Sequence, residues 1–299
     1  MINFKTIEIS DKKEIDKCLA GNTFRASDYC FTNLLAWKER FSTMFAIEKE
    51  TLFTRFKDID GYLCYMMPIG KLPLEKSIKL ILDDAKENNI PVRMKGITRR
   101  MWICIEKAMP GMFNYIHDRD SDEYIYLTEK MISLKGKKLQ SKRNHINRFK
   151  AENPDWEYFT ITNTHELNEC LKMLIEWEEI NTEKNGKSLR YDYLASKAML
   201  ENFHELQLCG GAIRVNGKIV AFSVGEKLTD DTFVVHLEKA FGSMNGAYAI
   251  INQQFAEHEA IGYEYINREE DLGLENLRQA KMSYYPDILL QERVLTLIT

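Results

Sequence analysis

The chain has 299 residues, of which 44% are hydrophobic and 29% are charged, and it carries a formal net charge of −4. This composition predicts a soluble globular protein with one large or two ordinary domains, and it argues against a dedicated nucleic-acid coat protein. The six cysteines are widely spaced, and the chain lacks an apolar signal core and any run of about 18 apolar residues. These features predict reduced thiols, a cytoplasmic location and no integral membrane segment.

The first half of the chain alternates short strand-like runs with helical patterns. Leu74, Ile78 and Ile81 recur at the spacing of a helix, which must end near Asn88 because Pro91 disfavours helical geometry just before it. Around this helix the pattern predicts strands at 44–48, 51–56, 62–67 and 92–97, a helix at 99–109, and two strands within 113–127 on either side of a polar turn.

The second half opens with a basic segment. Residues 135–152 contain seven Lys or Arg and one acidic residue, and they predict a helix capped at Ser133 and ended before Pro154. A narrow apolar stripe would pack on the body of the protein, and it consists of Leu139, Ile146 and Phe149. A solvated helix linking two domains is one interpretation. Such faces usually mix both signs of charge, so the nearly pure positive charge favours an anion-binding surface.

The rest of the second half predicts a mixed α/β domain. Asn163 and Glu166 resemble a capping box at a helix start, and Asn216-Gly217 marks a hairpin turn. The pattern gives strands at 157–161, 211–215, 218–226, 232–239 and 263–267, helices from 163, at 191–206, 248–260 and 272–282, and a loop at 181–188. We therefore predict two α/β domains with mixed sheets, at 1–132 and 133–299, the second opening with the basic helix.

The strand TFVVHLEK carries the first candidate site. Alternation sends His236 and Glu238 to one face, near the carboxyl end of a strand where open α/β sheets bind ligands. An imidazole and a carboxylate so placed could act as a general base and its orienter. The alternative is a polar edge on a half-buried strand.

Two later segments suggest anion and cation sites. The loop GSMNGAY precedes a helix, whose free N–H groups could meet an anion beside Gly246, although two glycines also suit an ordinary turn. In NREEDLGLENLRQAK, Asp271 is a natural N-cap, and Glu269 and Glu270 suit the positive end of the helix dipole. The same acids could instead hold a substrate ammonium, with Arg268 or Lys281 holding an anion. The sequence lacks the usual metal, P-loop, hydrolase and dinucleotide motifs, so no metal site is predicted.

Three stretches together resemble a known family. They are SKRNHINRF at 141–149, HLEKAFGSMNGAYAIINQQFAEH at 236–258, and YINREEDLGLENLRQAKMSYYP at 265–286. They resemble the bacterial family named after the C-terminal domain of phosphatidylglycerol lysyltransferases. The resemblance implies two tandem folds of the Gcn5-related N-acetyltransferase (GNAT) type. It also implies kinship with Fem-type enzymes, which move amino acids from aminoacyl-tRNA onto cell-wall precursors.

The sequence departs from the related patterns in two places. Acetyltransferases of this fold bind coenzyme A through a Q/R-x-x-G-x-G/A loop, whereas here only Gly246 matches and Tyr248 puts a large ring where backbone would approach phosphate. This argues for an acyl donor other than acetyl-coenzyme A. Phosphatidylglycerol lysyltransferases also commonly carry a multi-span membrane part, which this chain lacks. The resemblance therefore does not imply a lipid acceptor for this chain. Peripheral contact with a membrane remains an alternative.

The resemblance implies an acyltransferase that needs no cofactor and takes aminoacyl-tRNA as donor. Glu238 or His236 would assist deprotonation of an amine or hydroxyl acceptor, Lys239 would meet charge on the carbonyl, and Glu269 and Glu270 would hold the donor's amino group. The basic segment would grip the tRNA acceptor end or another phosphate-bearing ligand. Further candidates for substrate binding are Lys142, Arg143, Asn144, Arg148, Gly246, Tyr248, Asn252, Arg268, Asp271 and Lys281.

Two other functions remain open. One is a non-catalytic protein of the same fold that binds RNA or an anion, and the other is a coenzyme A-dependent N-acetyltransferase. The N-terminal half carries no comparable motif, so we expect it to have a structural or acceptor-binding role.

Overall fold

A computed structural model describes residues 2–185 and 189–298, and the chain divides into two compact units. Unit 1 comprises the residues up to Glu123, Glu270–Gln279 and the residues from Leu289 onward. Unit 2 comprises Tyr124–Glu269 and Ala280–Ile288. The division predicted after residue 132 therefore lies inside unit 2, and the end of the chain belongs to unit 1.

Unit 1 is built on a mixed sheet flanked by short helices. Its α4 (Leu74–Glu87) buries Ile78 and Ile81 of the predicted stripe together with Ala85, whereas Leu74 is half-buried. The elements of the N-terminal part are β1 (Lys5–Thr6), α1 (Lys12–Leu19), α2 (Phe31–Ala36), α3 (Lys38–Phe41), β2 (Met44–Glu48), β3 (Thr51–Lys57), β4 (Leu63–Tyr65), β5 (Ile69–Gly70), α4 (Leu74–Glu87), β6 (Arg93–Thr98), α5 (Arg99–Ala108) and β7 (Phe113–His117).

Unit 2 contains most of a second mixed sheet and the longer helices. The elements of the rest of the chain are β8 (Glu123–Leu127), α6 (Thr128–Ser133), α7 (Gln140–Glu152), β9 (Glu157–Thr160), α8 (Thr164–Asn185), α9 (Leu189–Glu201), α10 (Phe203–Leu206), β10 (Cys209–Val215), β11 (Lys218–Lys227), β12 (Thr232–Ala240), α11 (Ala247–His258), β13 (Tyr265–Glu270), α12 (Glu275–Met282), β14 (Ile288–Leu290) and β15 (Glu292–Leu297). Among them, the β10–β11 hairpin turns at Asn216-Gly217, as predicted, with both residues at positive φ.

The two sheets have the same plan. The first runs β1-β2-β3-β4-β6-β15-β7, with β5 on β3, and the second runs β14-β8-β13-β12-β11-β10-β9. Each contains a parallel pair, β4 with β6 and β12 with β13, among antiparallel neighbours. The predicted mixed α/β class is confirmed.

Each sheet also contains a strand that is distant in sequence from a strand beside it. β15 inserts between β6 and β7 and is antiparallel to both, so the last strand completes the first sheet. β7 and β8 are adjacent in sequence, yet they belong to different sheets. β14 and β15 are not predicted from the sequence, because such short runs give little periodicity to detect.

Several predicted boundaries differ from the observed ones, and two of the differences are large. The basic helix α7 begins at Gln140 rather than after Ser133, because Leu134 and Gly136 have positive φ and interrupt the chain between α6 and α7. The loop predicted at 181–188 is helical up to Asn185, and its residues 186–188 lie outside the described part of the chain. Within the described ranges, no helix combines the length and the apolar character needed to cross a membrane.

Candidate functional site

The parallel strands β12 and β13 of unit 2 pair over a short stretch and then separate. Their ladder joins Thr232 with Tyr265, Phe233 with Ile266 and Val234 with Asn267, whereas β12 continues to Ala240. The carboxyl ends of parallel strands are where open α/β sheets bind ligands. The side chains of these ends therefore define the candidate site.

A bulge at His236 shapes the end of β12. On the neighbouring strand β11, Gly225 faces Val235 and Val224 faces Leu237, so His236 is the extra residue. Its side chain is 0% exposed although the residue is half-buried as a whole, so its exposed surface belongs to the backbone. The bulge thus buries the imidazole and presents a stretch of main chain at the strand end.

The buried imidazole of His236 lies between two carboxylates. Nδ1 is 2.8 Å from Oε1 of Glu269, and Nε2 is 3.0 Å from Oε1 of Glu226. Both contacts are hydrogen bonds when the ring carries two protons, since an ionised carboxylate only accepts. Glu269 reaches this position from a backbone with φ of 58°, and its N–H donates to Oδ1 of Asn267.

Glu238 pairs with Arg268 from the facing strand. Nε and Nη2 of Arg268 donate to the two oxygens of Glu238 at 3.0 and 2.8 Å, and Asn252 of α11 donates to Oε1 at 2.5 Å. The guanidinium is flanked by the rings of Tyr126 and Tyr284, with centroids at 5.6 and 4.9 Å. Of the predicted site residues, Glu238, Arg268 and Asn252 form one cluster, and His236 and Glu269 form another. Glu238 does not orient His236, because each of them is bonded to other side chains.

Lys239 lies in a different cluster. Its ammonium is buried, pairs with Asp192 of α9 and lies 4.2 Å from the ring centre of Trp177. Trp177 donates in turn to the hydroxyl of Tyr248 at 3.3 Å, and burial raises the pKa of that tyrosine. The predicted role of Lys239 at a substrate carbonyl is not supported, because this side chain is already held by Asp192.

The start of α11 is covered by the basic helix α7. Gly246 caps α11 with φ of 88°, and a Cβ there would lie 2.3 Å from the carbonyl oxygen of His145. Nδ1 of His145 is also 3.0 Å from Oδ1 of Asn245. The close approach of α7 therefore explains this glycine without a phosphate. Tyr248, two residues further on, is 39% exposed.

The basic residues of α7 have different partners. Arg143 donates to the carbonyls of Leu134 and Gly136, which fixes the irregular segment before the helix, and Arg148 pairs with Glu152 on the exposed face. Lys142 is half-buried, with its ammonium 4.1 Å from the ring centre of Tyr284. Asn144 is exposed, and the predicted apolar stripe is buried. Of the predicted phosphate-binding cations, Lys142 is the one beside the Glu238–Arg268 pair.

A lysine-rich groove of about 450 Å³ lies just before α7. It is lined by Lys130, Lys135, Gly136, Lys137, Lys138, Leu139, Tyr285, Pro286 and Asp287. Lys130 forms an ion pair with Asp287. Lys135, Lys137 and Lys138 are exposed. The groove extends the positive surface of unit 2 beyond the helix.

Two predicted site residues, Asp271 and Lys281, have structural roles. Asp271 and Glu270 belong to unit 1, where the fully buried Asp271 accepts hydrogen bonds from Arg278 and Arg119. Lys281 is buried in unit 2 and donates to the carbonyl of Arg268 at 2.6 Å. These contacts hold the end of β13 and the turn after it in place.

The sequence analysis missed several residues of these clusters, namely Glu226, Tyr126, Tyr284, Trp177 and Asp192. Glu226 is an acid near the end of an apolar strand, which is the only local signal it offers. The others reach the site from elements far away in sequence. Their positions follow from the fold rather than from local pattern.

Comparison with known proteins agrees with this architecture. The sequence pattern of the family described as "Phosphatidylglycerol lysyltransferase, C-terminal" matches residues 22–293. The crystal structure of a conserved protein of unknown function from Bacteroides thetaiotaomicron is similar over 100% of both chains, with a TM-score of 0.92 and 40% identity. The structure of L-PGS from Bacillus licheniformis covers 88% of this chain and 90% of its own, with a TM-score of 0.60 and 18% identity.

An uncharacterized protein of Mycoplasmoides gallisepticum is 23% identical over 185 residues. That match covers 61% of this chain and 58% of the relative, so the chain spans little more than half the length of that protein. Taken with the strand orders, these likenesses confirm the predicted mixed α/β fold and its similarity to the C-terminal part of phosphatidylglycerol lysyltransferases.

Proposed function

The chain belongs to the phosphatidylglycerol lysyltransferase C-terminal family, and we propose that it transfers an aminoacyl group from aminoacyl-tRNA to an amine or hydroxyl acceptor. The observation that carries the proposal is the position of α7. This basic helix packs on the start of α11 and brings Lys142 beside the Glu238–Arg268 pair. A phosphate-rich donor bound along α7 would therefore have its ester end near the carboxylates of the strand ends.

The start of α11 supports a donor other than coenzyme A. In a pyrophosphate-binding loop, backbone N–H groups before a helix must be open to the ligand. Here the backbone of His145 lies where even a Cβ on Gly246 would collide. An ester-linked amino acid brings its own activation, so the proposed reaction requires no cofactor.

The proposed chemistry is aminolysis or transesterification of the donor. The acceptor attacks the ester carbonyl, a C–N or C–O bond forms, and the bond to the tRNA ribose oxygen breaks as that oxygen takes a proton. The exposed backbone at the His236 bulge replaces Lys239 as the proposed donor to the carbonyl oxygen, because N–H groups aimed at developing charge stabilise it.

Glutamate side chains supply the two remaining roles, which are binding of the donor's ammonium group and removal of the acceptor's proton. Glu269, with Glu226 on the other side of His236, supplies negative charge for the donor's ammonium. Glu238 accepts the acceptor's proton, which requires it to give up a hydrogen bond from Arg268 or Asn252. We assign tRNA as the partner and the cytoplasm as the location, where charged tRNA is found. Unit 1 keeps its predicted structural or acceptor-binding role.

The test is transfer of radiolabelled amino acids from a pool of charged tRNAs to candidate acceptors. We expect label to leave the tRNA with wild-type protein. Glu238→Gln and Glu269→Gln should slow transfer by about 100-fold or more. Glu257→Gln, an exposed acid on α11, is the matched control and should behave as wild type. Full activity in both site variants would remove these roles.

Binding titrations with tRNA and with acetyl-coenzyme A, made beside the transfer assay, separate the alternatives. Salt-sensitive binding of tRNA with no release of label would indicate a non-catalytic binding protein. Tight binding of acetyl-coenzyme A with no affinity for tRNA would indicate an acetyltransferase and would overturn the argument from Gly246.

A further inference from the structure

The strand β7 is an outer edge of the first sheet. It pairs with β15 on one side, and no strand of the described residues pairs with it on the other. Beyond one end of β7, Asp118 donates to the carbonyl of Glu292, and beyond the other end Ile298 donates to that of Met112. Backbone groups alternate in direction along an antiparallel strand, so every second residue of β7 directs its N–H and C=O away from β15. These residues are Phe113, Tyr115 and His117.

The side chains of β7 are open to solvent as well. The four residues from Asn114 to His117 are exposed. Ile116 is 72% exposed, and Tyr115, whose ring lies 5.3 Å from that of Trp102, is 51% exposed. A branched apolar side chain and an aromatic ring both gain contacts when a neighbouring strand covers them. The edge of β7 therefore offers hydrogen-bonding groups and apolar surface to a further strand.

The other ends of the two sheets are protected against such pairing. β1 has two residues and carries Lys5, and β14 has three residues. β9 carries Glu157, which forms an ion pair with Arg214 of the adjacent strand. Shortness and charge are common devices that keep an edge strand unpaired. β7 has five residues, none of which is Lys, Arg, Asp, Glu or Pro, so it lacks these devices.

We propose that two copies of this chain associate through β7, which pairs in antiparallel orientation with β7 of the second copy. A twofold axis at Tyr115 makes this residue face its counterpart and brings Phe113 opposite His117. The same register brings Asn114 opposite Ile116. The outward backbone groups then form about six hydrogen bonds, because each facing pair of outward residues exchanges two.

The second copy is the partner that β7 fits. The strand carries no Lys, Arg, Asp or Glu, so it does not select a partner of opposite charge. Its own sequence, turned through the twofold axis, meets every outward N–H and C=O and puts no like charges opposite each other. This association lies in unit 1 and is independent of the chemistry proposed for unit 2.

The test is sedimentation equilibrium of the full chain from roughly 1 µM to 1 mM, a range that detects moderate and weak dimers. We expect a monomer–dimer equilibrium. Ile116→Lys should raise the dimer dissociation constant by about 10-fold or more, because it brings a charge to the interface opposite Asn114. The side chain is largely exposed in the single chain, so the thermal unfolding temperature measured at low concentration should not change. Ile59→Lys is the matched control, because Ile59 is 71% exposed and lies outside the strands, and it should leave the dissociation constant unchanged.

Charge reversal tests the register. Asn114→Glu/Ile116→Lys puts a carboxylate opposite each ammonium across the axis and should restore association, whereas Asn114→Lys/Ile116→Lys should stay monomeric. Hydrogen exchange in the peptide that contains β7 should slow as the concentration of wild-type protein rises. A wild-type chain that is monomeric throughout the range would overturn the proposal. A dimer that tolerates Ile116→Lys, or a charge-reversed variant that associates no better than Asn114→Lys/Ile116→Lys, would overturn it as well.

Discussion

The two units place different groups at corresponding points of their two sheets. In unit 1 the hydroxyl of buried Tyr29 accepts from the backbone N–H of Met67, just beyond β4, at 3.0 Å, and donates to the carbonyl of Gly96 in β6 at 3.4 Å. In unit 2 the strands β12 and β13 are joined by His236 with Glu269 and by Glu238 with Arg268. The link in unit 1 is made by a neutral phenol, whereas the links in unit 2 are made by charged side chains.

The difference has an energetic meaning. Buried ion pairs are often no more stable than apolar residues of similar volume, since the cost of desolvation offsets their attraction. Unit 1 demonstrates that this fold can join its parallel strands with a phenol. The charges of unit 2 are therefore not required by the fold, and they mark the unit where we expect chemistry.

The largest expected effect comes from breaking a charged link of unit 2. Glu238→Ala leaves the buried guanidinium of Arg268 without its carboxylate and should lower the free energy of unfolding by about 3 kcal/mol. Chemical denaturation, with hydrogen exchange read separately for peptides of each unit, should locate the loss in unit 2. The double variant Glu238→Leu/Arg268→Met should recover stability but not transfer activity. Recovery of both would make the pair purely structural.

The next effect tests the contact between α7 and α11. Gly246→Ala forces a Cβ against the carbonyl of His145 and keeps a positive φ, whereas Gly217→Ala has a similar φ of 77° and open space around the new methyl. The φ alone costs about 1–2 kcal/mol. Thermal unfolding of the two variants should show a clearly greater loss for Gly246→Ala. Equal losses would mean that α7 yields easily.

A smaller effect is expected at the neutral link of unit 1. Tyr29→Phe removes the hydroxyl that joins Met67 and Gly96, leaves a buried N–H without its acceptor, and should cost about 1–2 kcal/mol. The loss should appear in the hydrogen exchange of unit 1. Transfer activity per folded molecule should be unchanged, and a fall in turnover would give unit 1 a share in the chemistry.

The last effect concerns the pH dependence of stability and involves an acid of unit 1. Burial raises the pKa of Glu292 well above its usual value, and the nearby Asp28 and Glu123 raise it further. The unfolded chain releases this proton at a lower pH than the folded one. The resulting stability is therefore complete below the ordinary pKa of glutamate and is lost as pH rises toward the raised one. Glu292→Gln should flatten this decline, and denaturation curves at several pH values would reveal an unchanged slope if the idea is wrong.

Local pattern was enough for much of the fold. The α4 helix and the Asn216-Gly217 hairpin both follow from periodicity and turn chemistry. The position of β15 does not, because strand order within a sheet depends on contacts between distant segments. The division into two domains was displaced for the same reason.

The site was predicted in composition but less well in its pairings. His236, Glu238, Arg268 and Glu269 do meet at the strand ends. Sequence alternation, however, cannot show which acid binds the imidazole, and it gives no sign of the bulge. Arg143 looked like a phosphate ligand because charge alone is visible in sequence, whereas its carbonyl partners depend on the turn at Leu134 and Gly136.

The insertion of β15 also bears on how the protein is made. Strands β6 and β7 each pair with β15. During translation, the first sheet therefore lacks its strand between β6 and β7 until residues 292–297 have been synthesised. By then all of unit 2 has been synthesised. Open strand edges are prone to pairing with other chains. The nascent protein thus has a long interval in which β6 and β7 present open edges, and a chain that stopped before residue 292 would leave those edges open in its N-terminal unit.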